Sequence, residues 1–362
     1  MTGPLRVLIW QWGRRGAGPR LAVALAEGLR TVPGIAVALS LSRQAEILTG
    51  DSPPHCDLPV DTYNGLRGFA VRFLSAPFAM RGLTGQLARL APDIAICAMP
   101  GPLDFMMATA VHRAGGRSIV MVHDADAHPG DGFPGQMWLQ RRLCRRADAV
   151  AYLSAHVGDR LREQGIVGAP LIAIHHPPLH FGVPPATAHD GPLRLLHFGR
   201  LLPYKGLDLL GEALALLGPR PDLIVRVVGS GPECPELDAL RRLPGVAVEN
   251  RWVPETEIAD LLTWSDALIL PYREASQSGV AAAALAAGRR VIATRVGGLA
   301  EQLAHSDRAA LCDPTASGIA EAIKTVLAAP PPPPAAVVDS VGAWRDMGIN
   351  LLRQAGVMLP TS

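Results

Sequence analysis

The stretch Leu195–Leu217 reads LLHFGRLLPYKGLDLLGEALALL. Its apolar start, which begins at Leu193 and runs through Leu195, Leu196 and Phe198, has the pattern of a buried strand and ends at Gly199-Arg200. A short loop carries Pro203 and Lys205-Gly206. Leucines and alanines then recur at helical spacing (Leu209, Leu210, Ala213, Leu214, Leu217), which predicts an amphipathic helix. One strand–loop–helix unit therefore holds an arginine and a lysine at the carboxyl end of a strand, the edge at which open α/β sheets bind ligands. Two cations beside a helix N-terminus suit a diphosphate, because charge-assisted contacts and oriented N–H groups add there. Solvated loop charges are the other reading of the same pair. Lys205 and Lys324 are the only lysines in the sequence, so a chain that otherwise uses arginine keeps a compact ammonium in this loop.

Outward from this unit, strands and helices alternate to about residue 328. Leu223–Val228, Ala267–Leu270 and Arg290–Ala293 read as strands, and Pro235–Arg242, Thr256–Trp264, Val280–Ala287, Leu299–His305 and Ile319–Ala328 as helices. Such alternation predicts a doubly wound parallel sheet. The amino-terminal half repeats the plan. Leu5–Trp12 is a strand, Gly13–Gly18 a glycine- and arginine-rich loop, and Pro19–Leu29 a helix. Further strands are expected at Ile35–Leu41, Asp93–Ala98, Ser118–Val122 and Ala149–Leu153, and Ile172–Ile174 with His175-His176 reads as the opening of a linker. Phe69–Leu90 mixes Phe73, Phe78, Met80 and Leu83 with Arg72, Arg81 and Arg89, and reads either as a core-facing helix pair or as a stretch lying on a membrane. The prolines of Pro177–Pro192 mark the boundary between the halves. The run Pro330–Pro334 cannot be helical, yet helical periodicity returns at Val341–Val357.

At 362 residues the chain is long enough for two domains, and 49% hydrophobic against 18% charged residues excludes wholesale disorder. The net charge of +2 implies no strong polyanion partner, so nucleic acid is not expected. Residues 1–187 nevertheless carry 18 arginines against 13 carboxylates, while the remainder carries 16 cations against 19 carboxylates. A basic first half fits an anionic acceptor or a membrane surface; chance and an arginine-biased composition explain it equally well. Cysteines 56, 97, 144, 234 and 312 are odd in number and scattered, so neither a zinc site nor a disulfide framework is indicated. With no leader pattern and no apolar run long enough to span a bilayer, the expected location is the cytoplasm, with contact at the inner face of the cytoplasmic membrane as an option. The segment HDADAHPGDGFP gathers His123, Asp124, Asp126, His128 and Asp131 in one loop, but at no standard metal spacing.

The motif GR-x-x-x-x-KG at Gly199–Gly206 resembles the signature of retaining glycosyltransferases of family 4, which have the GT-B fold. The resemblance continues through VVGSGPE (Val227–Glu233), PYREASQSGV (Pro271–Val280), ALAAGRRVIAT (Ala284–Thr294) and VGGLAE (Val296–Glu301). It implies two Rossmann-like domains facing a deep cleft. Residues 1–178 would form the acceptor-binding domain, 179–192 the linker and 193–330 the nucleotide-sugar-binding domain, with a crossover helix near 341–358 returning to the first. Arg200, Lys205 and His123 would be catalytic. Gly229, Gly231, Glu274, Gln277, Ser278, Gly279, Val280 and Glu301 would line the donor site, and Gly16, Gly18 and Asp124 the acceptor side. His128 and Asp126 have no clear counterpart beyond a guess at acceptor contact. Glu301 reads either as a cap of its own helix or as a donor contact. The family's E-x7-E pair would fall at 275 and 283, where this chain has Ala275 and Ala283. Glu274, one position early, stands nearest the first.

The reaction implied is transfer of a sugar from a nucleotide-diphosphate donor to a glycan, lipid-linked or small-molecule acceptor, in bacterial polysaccharide or glycoconjugate synthesis. Configuration would be retained by same-face attack without a protein nucleophile, a metal or a further cofactor. A non-catalytic nucleotide-sugar binder and a GT-B-shaped nucleotide-sugar epimerase are the competing readings.

Overall fold

The computed structural model describes residues 3–50, 52–132, 135–166, 168–184, 191–329 and 338–360. The proline run 330–334 and part of the expected linker, residues 185–190, lie outside them. The chain divides into two compact units. The first takes in Met1–Asp126, Phe133–His175 and Val341–Ser362; the second takes in Ala127–Gly132 and His176–Ser340. Residues 127–132, which the sequence reading gave to the first domain, thus cluster with the second.

The first unit is built on six parallel strands: β1 (Leu5–Gln11), β2 (Ile35–Leu41), β3 (Ile94–Cys97), β4 (Arg117–Val122), β5 (Ala149–Tyr152) and β6 (Leu171–Ala173). They lie in the order β2-β1-β3-β4-β5-β6. The central strands β3 and β5 are buried at every residue, as in parallel sheets covered by helices on both faces. The order reverses at β1, whose neighbours are β2 and β3. The helix Ser340–Gln354 belongs to this unit from Val341 onward. It packs closely on the helix Ala17–Arg30 because glycines stand at the crossing. A Cβ on Gly28 would come within 2.5 Å of the Arg345 nitrogen, and one on Gly348 within 3.0 Å of Leu25 and Leu29. Trp344, Met347, Leu351 and Leu352 are buried, and Arg117 donates to the Ala355 carbonyl at 2.7 Å.

The second unit holds β7 (Leu193–Arg200), β8 (Leu223–Ser230), β9 (Val246–Asn250), β10 (Ala267–Leu270), β11 (Arg290–Thr294) and β12 (Ala309–Cys312). All pairings are parallel, in the order β12-β11-β10-β7-β8-β9, the arrangement of a dinucleotide-type doubly wound sheet. Alternate residues feed two cores. Leu195, Val227, Ile269 and Ile292 pack with the helices Leu207–Leu217 and Ala316–Ala328. Leu196, Val228, Leu268, Leu270 and Val291 pack on the other face with Glu255–Trp264, Gly279–Ala286 and Gly297–Leu303. The sequence reading missed β12, whose AALC lacks the β-branched residues that mark a strand.

Candidate functional site

In the second sheet the order reverses between β7 and β10, so the loops leaving these strands diverge and open a crevice at their carboxyl ends. β7 ends at Gly199-Arg200, and the turn Pro203–Lys205 leads into the helix Leu207–Leu217. β10 leads through Pro271–Gln277 into the helix Gly279–Ala286. The two loops interlock. Arg273 donates its backbone N–H to the Tyr204 carbonyl at 2.8 Å, and Gly206 lies against Pro271. Gly206 is left-handed (φ 68), and a Cβ there would stand 1.8 Å from the Pro271 oxygen. The glycine of the Lys-Gly pair is thus demanded by backbone conformation and by packing.

The Lys205 ammonium lies 3.7 Å from the centre of the Tyr272 ring and 4.8 Å from that of Tyr204. Ring faces attract and orient an ammonium without cancelling its charge. Tyr272 is fully buried, and burial pushes its phenol up to about 12, so it stays neutral. Arg200 is half exposed; its guanidinium bonds the Tyr204 hydroxyl at 3.2 Å and pairs with Asp131. The two predicted cations thus share Tyr204 as a common neighbour.

Asp131 comes from the 127–132 segment, which brings a second anchor. His128 Nδ1 is 2.8 Å from Glu274 Oε1, and its ring stacks on Tyr204 with centres 4.5 Å apart. His128, for which the sequence supports only a guess at acceptor contact, thus sits against Glu274, one of the residues expected at the donor site. Asp126, the other residue of that guess, bonds Arg160 at 2.7 Å within the first unit.

The helix Gly279–Ala286 is capped by Ser278, whose hydroxyl accepts from the Ala281 N–H at 3.2 Å. The Ser278 N–H is itself taken by Gln302 Oε1 at 2.8 Å, and Gln302 Nε2 returns a bond to the Ser278 carbonyl at 3.0 Å. Of the residues 278–280 expected at the donor site, Ser278 therefore has its amide engaged. The amides of Gly279 and Val280 stand in the first turn, where no intrahelical acceptor exists. Gln277 precedes the cap and is half-buried. Gly199 brings the end of β7 to the same place, its Cβ position 3.7 Å from Val280.

Gly229 and Gly231 are demanded by the sheet. A Cβ on Gly229 would lie 1.6 Å from the Gly199 carbonyl oxygen, and one on Gly231 2.0 Å from that of Leu201. Asn250, unremarked in the sequence, closes this corner by accepting from the Gly231 N–H at 3.0 Å and donating to its carbonyl at 3.1 Å. Glu301 is not a cap. It lies exposed inside the helix Gly297–Leu303, whose N-terminal flank is Val296. Ala275 and Ala283 are buried among the apolar residues under β10 and β11.

In the first unit the reversal point is the end of β1 and β3. Gln11 is buried there and accepts from the Gly13 N–H at 2.9 Å. A Cβ on Gly18 would strike its side chain at 2.7 Å, and Gly18 falls within the first turn of Ala17–Arg30. The loop therefore ends at Gly16 (φ 82), one residue before that helix. His123 follows β4 but is 2% exposed, and its Nε2 lies 2.8 Å from the Ala98 carbonyl, to which it donates. Burial pushes its imidazole below the ordinary value, which keeps it neutral. The expectation of a His123 presented to a sugar hydroxyl thus meets a ring with one nitrogen already committed. Asp124 is half-buried, and its carbonyl accepts from Gln140 Nε2 at 2.6 Å.

Asp104 escaped the sequence reading. It opens the helix after β3 and is fully buried; it accepts from the Gly101 N–H at 2.5 Å and the Cys97 thiol at 3.4 Å. Burial pushes its carboxyl up to about 7. Only its position just after a strand end signals it. Among the described residues no group of three His, Cys, Asp or Glu is set to hold a metal ion.

Comparison with known proteins follows this geometry. The family model "Glycosyl transferases group 1" matches residues 192–329, and "Glycosyl transferase 4-like domain" matches 15–178. The glycogen synthase of Mycobacterium tuberculosis is 29% identical over 196 residues, which are 52% of this chain and 47% of that protein. The D-inositol 3-phosphate glycosyltransferase of Jonesia denitrificans is 39% identical over 118 residues, 30% of this chain and 28% of that one. The chain thus spans about half the length, or less, of these curated relatives. Among solved structures, Anabaena HepE in complex with UDP and glucose superposes with a TM-score of 0.67 at 16% identity, over 98% of this chain and 96% of that one, and shares the fold. Two parallel six-stranded sheets, the β7–β10 crevice with its Arg-Lys pair, and matches to both halves agree: the chain has the GT-B fold and belongs to the group 1 glycosyl transferases of family 4.

Proposed function

We propose that the chain is a retaining glycosyltransferase that moves a sugar from a nucleotide-diphosphate donor to a glycan, lipid-linked or small-molecule acceptor. The observation that carries this reading is the pair Arg200 and Lys205 beside the first turn of Gly279–Ala286, at the reversal point of the second sheet. The donor diphosphate lies against these groups. As the sugar–phosphate bond breaks, negative charge moves onto the departing phosphate. The two cations and the Gly279 and Val280 amides stabilise that charge more than they stabilise the ground state. The acceptor hydroxyl attacks from the face the phosphate leaves, and the first unit supplies the acceptor contacts through the loop around Gly16 and through Asp124. The cations do the work of a divalent metal, so no metal is required. The matched relatives, named a glycogen synthase and a D-inositol 3-phosphate glycosyltransferase, support sugar transfer, and HepE, which shares the fold, is in complex with UDP and glucose.

A binding-only reading is favoured by one observation, the buried Ala275 and Ala283 where carboxylates would hold the donor. The test incubates the full chain with UDP-, GDP-, ADP- and dTDP-sugars, with and without glycan and lipid-linked acceptors. Transferase activity predicts nucleotide release that rises with acceptor and survives EDTA. Binding without release supports the second reading. Interconversion of the donor sugar without any acceptor supports an epimerase. Loss of transfer on chelation, restored by Mg²⁺ or Mn²⁺, contradicts the metal-free mechanism.

A further inference from the structure

The basic character of the first half has a location. Three helices of the first unit, Ala76–Leu90, Asp104–Arg113 and Gln136–Cys144, pack side by side with Asp104–Arg113 in the middle. The helix Gly65–Leu74 runs into the first of them. In this layer the sequence has no Asp or Glu from 62 to 92, from 105 to 123 or from 132 to 147. The carboxylate within it, Asp104, is fully buried. Arginines 67, 81, 89, 142 and 146 are exposed, and among the described residues none of them is ion-paired.

The same layer exposes large apolar side chains. Val71, Leu74 and Phe78 are 66%, 78% and 74% exposed, and Trp138 is 57% exposed. They are a substantial share of the large apolar side chains exposed among the described residues. Leu83 and Leu87 face inward on the Ala76–Leu90 helix, so Phe78 is exposed beside Arg81 and Arg89 on the outer face of a helix that already has a buried apolar side. Beside Trp138 runs a groove of about 400 Å³, lined by Phe105, Thr109, Arg113 and Arg146 among others. The Arg146 guanidinium stands 4.6 Å from the Phe105 ring centre, and that of Arg142 stands 5.5 Å from Trp138. Such stacking holds the charges at the level of the apolar groups while leaving them positive.

We propose that this helix layer docks on an anionic lipid bilayer surface. Leu74 and Phe78 enter the boundary between headgroups and acyl chains, Trp138 sits at headgroup level, and the arginines meet lipid phosphates. The pattern fits what such a surface offers: negative charge spread over an area, with apolar depth beneath it. A soluble polyanion offers the charge and no depth, so it leaves the exposed phenylalanine and leucines unexplained. The proposal stands apart from the donor chemistry, since none of these residues belongs to the Arg200–Lys205 site.

Sedimentation of the full chain with vesicles of phosphatidylcholine alone, and with phosphatidylglycerol at about two lipids in five, tests it. At least tenfold stronger binding to the anionic vesicles is expected, weakening as salt rises. Leu74→Ser with Phe78→Ser should weaken binding at least tenfold, and each of Arg142→Gln and Arg146→Gln about fivefold. Arg242→Gln, an exposed arginine of the second unit, should change nothing. Unaltered circular dichroism and thermal midpoint keep the variants interpretable, and the arginine variants stand if the apolar pair fails to fold. Equal binding to both vesicle types, no binding to either, anionic binding that the surface variants leave intact, or a dimer that these variants dissociate would each overturn the proposal.

Discussion

Lys205 rests on two tyrosine rings and Arg200 on a tyrosine hydroxyl, so both cations are oriented by aromatic groups that keep their charge in place. Removing one preorganised donor of this kind costs about a hundredfold or more in rate, roughly 3 kcal/mol. Lys205→Ala should therefore lower kcat about a hundredfold while donor affinity falls less, and Arg200→Lys should fail to restore the planar fork. Steady-state kinetics check both; near-wild-type turnover by a folded Lys205→Ala protein contradicts the role. Asp104 makes a second claim at this scale. Its carboxyl ionises near 3.8 when unfolded and at about 7 when folded. Its contribution to stability is thus complete below about pH 4, is lost as pH rises to about 7, and is constant above. The loss is at most about 4 kcal/mol, taking about 1.4 kcal/mol per pH unit. Asp104→Asn lacks this titration, so urea unfolding should find the variant gaining on the wild type between pH 4 and pH 7. A difference that stays flat over that range contradicts the buried, protonated carboxyl. Arg200 and Lys205 were legible in the sequence because their spacing in one loop fixes their neighbourhood. Asp104 was not, because burial of a carboxylate is a tertiary fact.

At the scale of elements, strands and helices followed from periodicity, and Leu207–Leu217 and Ala267–Leu270 fall where the pattern puts them. What periodicity does not carry is the partner far along the chain. Gln302 takes the Ser278 amide from 24 residues away, and Asp131 reaches Arg200 across 69. Nothing local announces either bond. Likewise the amphipathic pattern of Phe69–Leu90 tells which residues share a face, and only the fold tells that Leu74 and Phe78 are left uncovered. The Asp131 contact has a consequence for binding. A donor diphosphate bound as proposed would compete with this carboxylate for Arg200. Because the pair is partly exposed, it is worth about 0.2–1 kcal/mol. Asp131→Asn should accordingly tighten nucleoside diphosphate binding by up to about fivefold, measured by calorimetry. Weaker binding by this variant would instead make Asp131 a support of the site.

At the scale of the whole molecule, each half of the chain folds as its own doubly wound sheet, and each reverses its strand order at a loop the sequence marks with glycine and arginine. The two reversal points differ in chemistry. That of the second unit gathers fixed cations and a helix N-terminus, while that of the first gathers a buried carboxyl, a neutral histidine and a glutamine-filled turn. The contrast is consistent with the proposed division of labour between donor and acceptor, and the charge of the first unit is a surface property separate from it. The central claim is that the donor diphosphate binds at the β7–β10 reversal. A crystal structure with the nucleoside diphosphate that most raises the thermal midpoint, among UDP, GDP, ADP and dTDP, tests it most directly. The account predicts phosphate oxygens within hydrogen-bond distance of Arg200, Lys205 and the Gly279 or Val280 amide. A diphosphate bound away from these groups, with Arg200 still paired to Asp131, would contradict it.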